Sequence, residues 1–157
     1  MPQPNDFTQQ AIVIDASVAV AIVSKEANAS VVLQEIAVRT NEGAAFYAPA
    51  VIVSEVLYVL CRKVESGLLA AVDHPKAVQD FEAFIKAINP PPSGDFSLTL
   101  RSDAIRAGYS CRRVSDSLYI ALAEELSRTC PTVLLTLDHE LSKQAARRAA
   151  GFTVQTL

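Results

Sequence analysis

Five short apolar runs, separated by longer segments with helical spacing, constrain the fold of this chain most strongly. The runs are rich in Val, Ile, Leu, Phe and Thr and cover residues 11–14, 45–48, 96–100, 132–137 and 152–156. Most of them lack a clean apolar–polar alternation, which is typical of strands covered on both faces. The segments between them repeat apolar residues at helical spacing and cover residues 17–23, 30–43, 49–67, 74–89, 101–113, 115–128 and 139–151. Strands that alternate with helices predict a three-layer α/β/α domain around a central parallel sheet of about five strands.

The size and composition of the chain fit one packed domain. It has 157 residues, of which 50% are hydrophobic and 20% charged, so a disordered chain is excluded. We expect residues 1–10 to form a flexible tail and residues 11–157 to form the domain. No window approaches the roughly 20 uncharged apolar residues of a membrane span, and residues 1–10 lack the features of a secretory signal. The three cysteines have no metal-ligand spacing and indicate reduced thiols in a cytoplasmic protein.

The charge pattern does not indicate a general nucleic-acid-binding protein. The net charge is −3, whereas such proteins are usually basic. Three basic pairs stand out locally, at residues 62–63, 112–113 and 147–148. Solvated helix ends explain each pair better than a phosphate contact does, although Arg112 and Arg113 stay open as contacts to a phosphate backbone.

Four carboxylates occupy positions that the predicted fold can bring together. Asp15 follows the first strand, and Asp138 follows the run at 132–137. Asp116 opens a helix, and Glu55 lies about two turns into another, within the apolar stretch "PAVIVSEVLYVL". Ligands of such α/β folds bind at the carboxyl ends of the strands. If the first, second and fourth predicted strands are neighbours, all four acids converge at one rim of the sheet.

Each of these acids also has a structural interpretation. Asp15, Asp116 and Asp138 fit N-cap or first-turn positions, where a carboxylate satisfies free helix amides. Glu55 fits a narrow polar stripe on a surface helix. Burying the Glu55 carboxylate among aliphatic residues would cost on the order of several kcal/mol unless a partner group pairs with it. The alternative is a polar pocket that holds a cation, because clustered carboxylates repel one another and a divalent metal relieves that repulsion.

The residue types narrow the choice of metal. The candidate ligands are all carboxylate oxygens, and His74 and His139 are isolated in the sequence. Oxygen donors suit Mg²⁺ or Mn²⁺ completed by waters, and they do not suit zinc. A carboxylate-held Mg²⁺ open to solvent serves phosphate chemistry, in which the metal activates water and stabilises a leaving oxygen.

Four motifs in order resemble the PIN-domain nucleases. They are "IDASVAVAI", "YAPAVIVSEVLYVL", "VSDSLYIALAEEL" and "LLTLDHEL…A…AGF", and the resemblance extends from about Ile12 to Val154. The likeness is strongest to the toxins of VapBC-type toxin–antitoxin pairs. It places the four acids of the family on Asp15, Glu55, Asp116 and Asp138. The companion hydroxyls fall on Ser17 and Thr136. The departures are the loop "NPPPSGD" at residues 89–95 and the leading tail.

The resemblance implies a cytoplasmic endoribonuclease that uses Mg²⁺ or Mn²⁺. It also implies a homodimer with no membrane segment and a cognate antitoxin protein that covers the acidic pocket. On this interpretation Asp15, Asp116 and Asp138 bind the metal directly or through waters. Glu55 orients or deprotonates the attacking water or ligates the metal through water, and Ser17 and Thr136 support the carboxylates.

Two other functions compete with this interpretation. The first is a non-catalytic PIN-like binding module, in which the acidic pocket docks a basic side chain of a partner. The second is a phosphatase or receiver domain of similar layout. The second is disfavoured because only one acid follows the first strand and no Lys follows "LLTL".

Overall fold

The fold is built on a four-stranded parallel sheet with helices packed against it. The structure is a computed structural model, and it describes residues 9–108, 115–147 and 151–157. The strands are β1 (Ala11–Ile14), β2 (Ala45–Tyr47), β3 (Thr132–Thr136) and β4 (Thr153–Thr156). Their order across the sheet is β2-β1-β3-β4, and every pair is parallel. The predicted α/β fold is therefore confirmed, with one strand fewer than expected among the described residues.

Seven α-helices connect and cover the strands in the described part of the chain. They are α1 (Ala16–Val23), α2 (Ala29–Asn41), α3 (Val51–Glu65), α4 (His74–Ile85), α5 (Thr99–Ala107), α6 (Asp116–Leu126) and α7 (His139–Ala146). Each corresponds to a segment that was predicted to be helical. The last residues of two of those segments, 109–113 and 148–150, lie outside the described residues.

The two central strands explain why apolar runs without alternation identified the sheet. Every residue of β1 and β3 is buried, so both faces of these strands are covered by helices. Helix α6 packs against β1 and β3, α1 packs against β3, α2, α3 and α4, and α7 packs against β3 and β4. Burial on both faces removes the need for polar residues at alternate positions.

The strand predicted at residues 96–100 is wrong. Residues Asp95–Leu98 form a short 3-10 helix that leads into α5. Alternating Phe96, Leu98 and Leu100 suggested a strand face, but Phe96 is 95% and Leu100 86% exposed, whereas Leu98 is buried. The buried set is instead Leu98, Ser102 and Ile105, which is the i, i+4, i+7 spacing of a helix. Serine and threonine hydroxyls bond to nearby carbonyls here, from Ser97 to Gly94 and from Thr99 to Phe96, which favours a tight turn.

The strand order places a topological switch point between β1 and β3. The chain leaves β1 to form β2 on one side of it, and later forms β3 and then β4 on the other side. Crevices that bind ligands in open parallel sheets form at such points, outside the carboxyl ends of the strands. Asp15 follows β1, and Asp138 lies two residues beyond β3. In the described part of the chain, no helix is long and apolar enough to cross a bilayer.

Candidate active site at the switch point of the sheet

Asp15 is the most deeply buried of the four predicted acids. It is 4% exposed and is the N-cap of α1, where its Oδ1 accepts a hydrogen bond from the Val18 backbone N–H at 3.3 Å. The Ser17 hydroxyl donates to Asp15 Oδ1 at 2.6 Å, and the Thr136 hydroxyl donates to Asp15 Oδ2 at 2.6 Å. Both carboxylate oxygens are thus held by donors from two different elements, which fixes the orientation of the group.

The two hydroxyls also connect Asp15 to the end of β3. Ser17 Oγ accepts from the Leu137 backbone N–H at 2.9 Å, and Thr136 Oγ1 accepts from the Asp138 backbone N–H at 2.9 Å. Each hydroxyl therefore donates to Asp15 and accepts from the backbone that leads to Asp138. Ser17 and Thr136, which were predicted to support the carboxylates, thus both form hydrogen bonds to Asp15.

Asp138 is also an N-cap. Its Oδ1 accepts from the backbone N–H groups of Glu140 and Leu141 at 2.8 and 3.2 Å, at the start of α7. The capping interpretation and the cavity interpretation are not exclusive for Asp15 and Asp138, because each residue caps a helix and lines the same cavity.

Glu55 and Asp116 complete the acidic wall from the helices. Glu55 lies in the middle of α3 and is half-buried, and Asp116 is the first residue of α6. All four acids line one cavity of about 510 Å³, together with Ser17, Tyr58, Val59 and Tyr119 among others. The predicted convergence of acids separated by tens of residues in sequence is therefore present in the structure.

Burial changes the acidity of Asp15. Desolvation raises the pKa of this carboxyl to about 6, against the opposing effect of hydrogen bonds from Ser17, Thr136 and the Val18 N–H. The charge of Asp138 raises the pKa a little further. The hydrogen bonds therefore stabilise the Asp15 anion in part, and a positive charge nearby would stabilise it further.

Tyr119 is a member of the site that was not assigned a role from the sequence. Its ring is buried, and its phenol donates a hydrogen bond to Glu55 Oε2. Burial raises the pKa of Tyr119 well above its usual range, and the charges of Glu55 and Asp15 add to the rise. The phenol is therefore a neutral donor at any practical pH. Its position three residues after Asp116, on the same face of the helix, was the signal available in the sequence.

The turn between α1 and α2 contributes two further residues that sequence reasoning missed. Glu26 and Asn28 line the cavity, and Glu26 Oε1 forms a 2.7 Å ion pair with Lys63 Nζ of α3. Asn28 is the N-cap of α2, yet its side chain makes no capping hydrogen bond. Its Oδ1 is buried without a hydrogen-bond partner among the described residues. Neither residue belongs to a periodic pattern, so only the tertiary structure reveals them.

Within the described part of the chain, basic side chains do not line the cavity. Its described lining contains five carboxylates, which are Asp15, Glu26, Glu55, Asp116 and Asp138, and it contains no Lys or Arg. Arg62 instead forms an exposed ion pair with Glu65, as expected of a solvated helix end. Arg112, Arg113 and Arg148 lie outside the described residues.

The residues present fit a hydrated divalent cation better than a closed metal cage. Within residues 9–108, 115–147 and 151–157, no three His, Cys, Asp or Glu side chains form a compact ligand group. Mg²⁺ commonly keeps several waters and is held by one or two carboxylates, which this arrangement allows. The carboxylates of the lining and the unpartnered Asn28 oxygen are the hard oxygen donors that such an ion takes.

Comparison with known families agrees with this geometry. The model of the PIN domain family matches residues 12–147, which is most of the chain. The chain belongs to the PIN domain family. PIN domains are generally nucleases that depend on divalent metal ions and act on RNA. No curated protein sequence matches the chain significantly.

Proposed function

We propose that this PIN domain is a Mg²⁺- or Mn²⁺-dependent endoribonuclease and the toxin of a VapBC-type pair. The observation that carries the proposal is a single cavity lined by Asp15, Glu55, Asp116 and Asp138 at the switch point of the sheet. The resemblance of the four motifs supports the toxin assignment. A polyanionic RNA would be repelled by this wall unless cations neutralised it, so the absence of Lys and Arg from the described lining also supports a metal-dependent reaction.

In the proposed mechanism the carboxylates that follow strands β1 and β3 would hold the metal. Asp15 and Asp138 would bind it directly or through waters, and Asp116 would complete the set from α6. Ser17 and Thr136 would keep the Asp15 oxygens oriented, as their 2.6 Å hydrogen bonds do in this structure. The ion, when bound, supplies an activated water and charge stabilisation at the scissile phosphate.

Glu55 would act on the attacking water from helix α3. One of its oxygens, Oε2, accepts the Tyr119 phenol, so Oε1 would orient or deprotonate the attacking water. No side chain of the site is proposed to form a covalent intermediate, and cleavage would be a direct hydrolysis. General-base assistance of this kind contributes roughly 10²- to 10⁴-fold to a rate.

The decisive test uses Asp116→Asn and an end-labelled random-sequence RNA pool. The wild-type protein is expected to cleave the pool with Mg²⁺ or Mn²⁺ and to be inactive in EDTA, whereas Asp116→Asn is expected to be inactive throughout. Asp103→Asn is the matched control, because Asp103 is exposed and pairs with Arg106 away from the cavity. Equal cleavage by wild type and Asp116→Asn would remove the proposed site.

Binding of Mn²⁺ separates this proposal from a non-catalytic module that docks a basic side chain. A metal-binding cavity gains stability with Mn²⁺ concentration, by RT ln(1 + [Mn²⁺]/Kd). We expect a rise in melting temperature that Asp15→Asn abolishes. No Mn²⁺-dependent stabilisation of the wild type would favour the binding module.

The proposal extends to a cytoplasmic setting, a homodimer and an antitoxin. Exposed apolar side chains on α2 and α3, among them Leu33 and Leu57 at 50% and 40% exposure, would suit an interface between two copies. Light scattering of the purified protein measures the dimer. Coexpression with the protein encoded in the neighbouring reading frame, followed by the RNA assay, tests the antitoxin, which should suppress cleavage.

A further inference from the structure

We propose that Tyr119 is a positioning residue that fixes the Glu55 carboxylate against the acidic cavity. The inference deepens the proposed nuclease function and rests on it for its catalytic meaning. It starts from one contact, the hydrogen bond from the Tyr119 phenol to Glu55 Oε2.

The contact joins two helices with different packing environments. Helix α3, which carries Glu55, packs mainly on α1 and α4, whereas α6, which carries Tyr119, packs on β1, β3 and α5. The hydrogen bond therefore links a peripheral helix to one that is anchored on the central strands. Tyr119 is 1% exposed, and a ring packed this tightly has little freedom to move its hydroxyl.

Glu55 needs such a restraint more than the acids on the sheet do. Asp15 and Asp138 have short side chains that are held by backbone N–H groups at helix starts. Glu55 lies in mid-helix and has a longer side chain that can adopt many rotamers, and ordering it costs conformational entropy. A buried donor at a fixed position selects one of those rotamers and directs the second oxygen into the cavity.

The residue type itself indicates this role. Packing alone would be satisfied by Phe, and a buried hydroxyl is costly unless it is bonded. Tyr119 also stands one turn after Asp116 on α6, so one helix supplies an acid and the donor that orients another acid. A backbone hydrogen bond from Ala16 slightly opposes the rise in the pKa of the phenol, so the hydroxyl also lies beside the start of α1.

The first experiment is a double-mutant cycle on the metal-free protein in EDTA. Unfolding by urea is measured for wild type, Tyr119→Phe, Glu55→Ala and the double variant. We expect the two changes to be non-additive, with a coupling of about fivefold or more in the unfolding equilibrium constant. Tyr47→Phe is the matched control, because Tyr47 lies on β2 outside the cavity lining and should be additive with Glu55→Ala. Additive effects of Tyr119→Phe and Glu55→Ala would overturn the proposal.

Glu55→Gln provides a second variant that does not depend on changing Tyr119. The amide oxygen of Gln still accepts a hydrogen bond from the phenol. The Glu55→Gln variant should therefore retain most of the stability that Glu55→Ala loses. Equal losses in both variants would also overturn the proposal, because the tether would then contribute nothing.

The second experiment reads out positioning during Mn²⁺-dependent cleavage of the random-sequence RNA pool. Tyr119→Phe should lower kcat by about tenfold or more and change KM much less, and it should have no further effect in the Glu55→Ala background. A further loss in that background would contradict positioning through Glu55. If the EDTA cycle shows coupling and wild type cleaves no RNA, the nuclease proposal fails while the tether between Tyr119 and Glu55 is upheld.

Discussion

The two walls of the acidic cavity are built in different ways. The sheet side consists of Asp15, Ser17 and Asp138, together with the buried Thr136 that donates to Asp15. The helix side consists of Glu55, Asp116 and Tyr119. On the sheet side, short side chains at strand ends are held by backbone amides and by two hydroxyls that bond in both directions. On the helix side, one side-chain hydrogen bond between helices restrains Glu55 among the residues that the structure describes.

Burial and positioning of a carboxylate are therefore separate problems in this site. The sheet side places a carboxylate where desolvation raises its pKa, so charge there destabilises the metal-free fold. The helix side places a carboxylate that is half-exposed, and its difficulty is orientation. A cation would relieve the first problem, whereas only packing and hydrogen bonding relieve the second.

Removing one acid from each wall should give the largest effects and should distinguish the walls. We expect Asp15→Asn and Glu55→Gln each to lower RNA cleavage by about 1,000-fold, which is within the range for loss of metal or general-base assistance. Mn²⁺ affinity, measured by calorimetry, should fall strongly only for Asp15→Asn. Wild-type Mn²⁺ affinity in Asp15→Asn would mean that the sheet side does not hold the metal.

The pH dependence of stability should isolate the cost of burying Asp15. The folded-state pKa of about 6 lies above the ordinary value of 3.8, so the folded protein binds this proton more tightly than the unfolded chain. The resulting stability is fully present below about pH 4 and is lost as the pH rises through 6. It amounts to about 3 kcal/mol, at about 1.4 kcal/mol for each pKa unit.

The measurement compares wild type with Asp15→Asn in EDTA, by urea unfolding between pH 4 and 7.5. The unfolding free energy of wild type, relative to that of the variant, should fall as the pH rises from 4 to 7.5. Saturating Mn²⁺ should reverse the trend for wild type, because a bound cation favours the ionised form. A constant difference between the two proteins across the range would show that Asp15 titrates normally.

The sheet side was largely predictable from sequence, and the helix side only in part. Asp15 and Asp138 directly follow apolar runs, and parallel strands bring their carboxyl ends to one edge, so their proximity follows from topology. Glu55 stood out because it is polar in an apolar helix, but its partner Tyr119 lies 64 residues away and no local rule connects them. Glu26 and Asn28 lie in a turn whose path depends on how α1 and α2 pack.

The missed element shows the same limit. Residues 96–100 have the composition of a strand, yet local hydroxyl contacts and the burial of Leu98, Ser102 and Ile105 make the segment helical. Strand and helix periodicities overlap over five residues, so the tertiary contacts decide between them. The error did not affect the site because the predicted strand carried none of the four acids.

Thr136→Val tests the hydroxyl network of the sheet side without changing any of the four acids. This change keeps the shape and removes the donor to Asp15 Oδ2 and the acceptor of the Asp138 N–H. We expect Mn²⁺ affinity to fall about tenfold, as is typical when a partner of a ligating carboxylate is lost. Ser142→Ala is a suitable control because that hydroxyl bonds to Thr156, outside the cavity lining. Unchanged affinity in Thr136→Val would show that the remaining donors orient Asp15 adequately.

The smallest effect on stability is expected from a contact outside the cavity that supports the start of α3. Asp95, in the 3-10 helix, accepts a hydrogen bond from the Ala50 backbone N–H at 2.6 Å, at the start of the helix that carries Glu55. Asp95→Ala leaves that amide without this acceptor and should lower the unfolding free energy by about 1 kcal/mol. Asp95→Asn keeps an acceptor for that amide, so its unfolding free energy should fall less than that of Asp95→Ala. Mn²⁺ affinity should be unchanged in both variants, since α3 carries none of the three proposed metal ligands, Asp15, Asp116 and Asp138. A fall in affinity in Asp95→Ala would show that the position of α3 contributes to metal binding, and that the two walls are coupled.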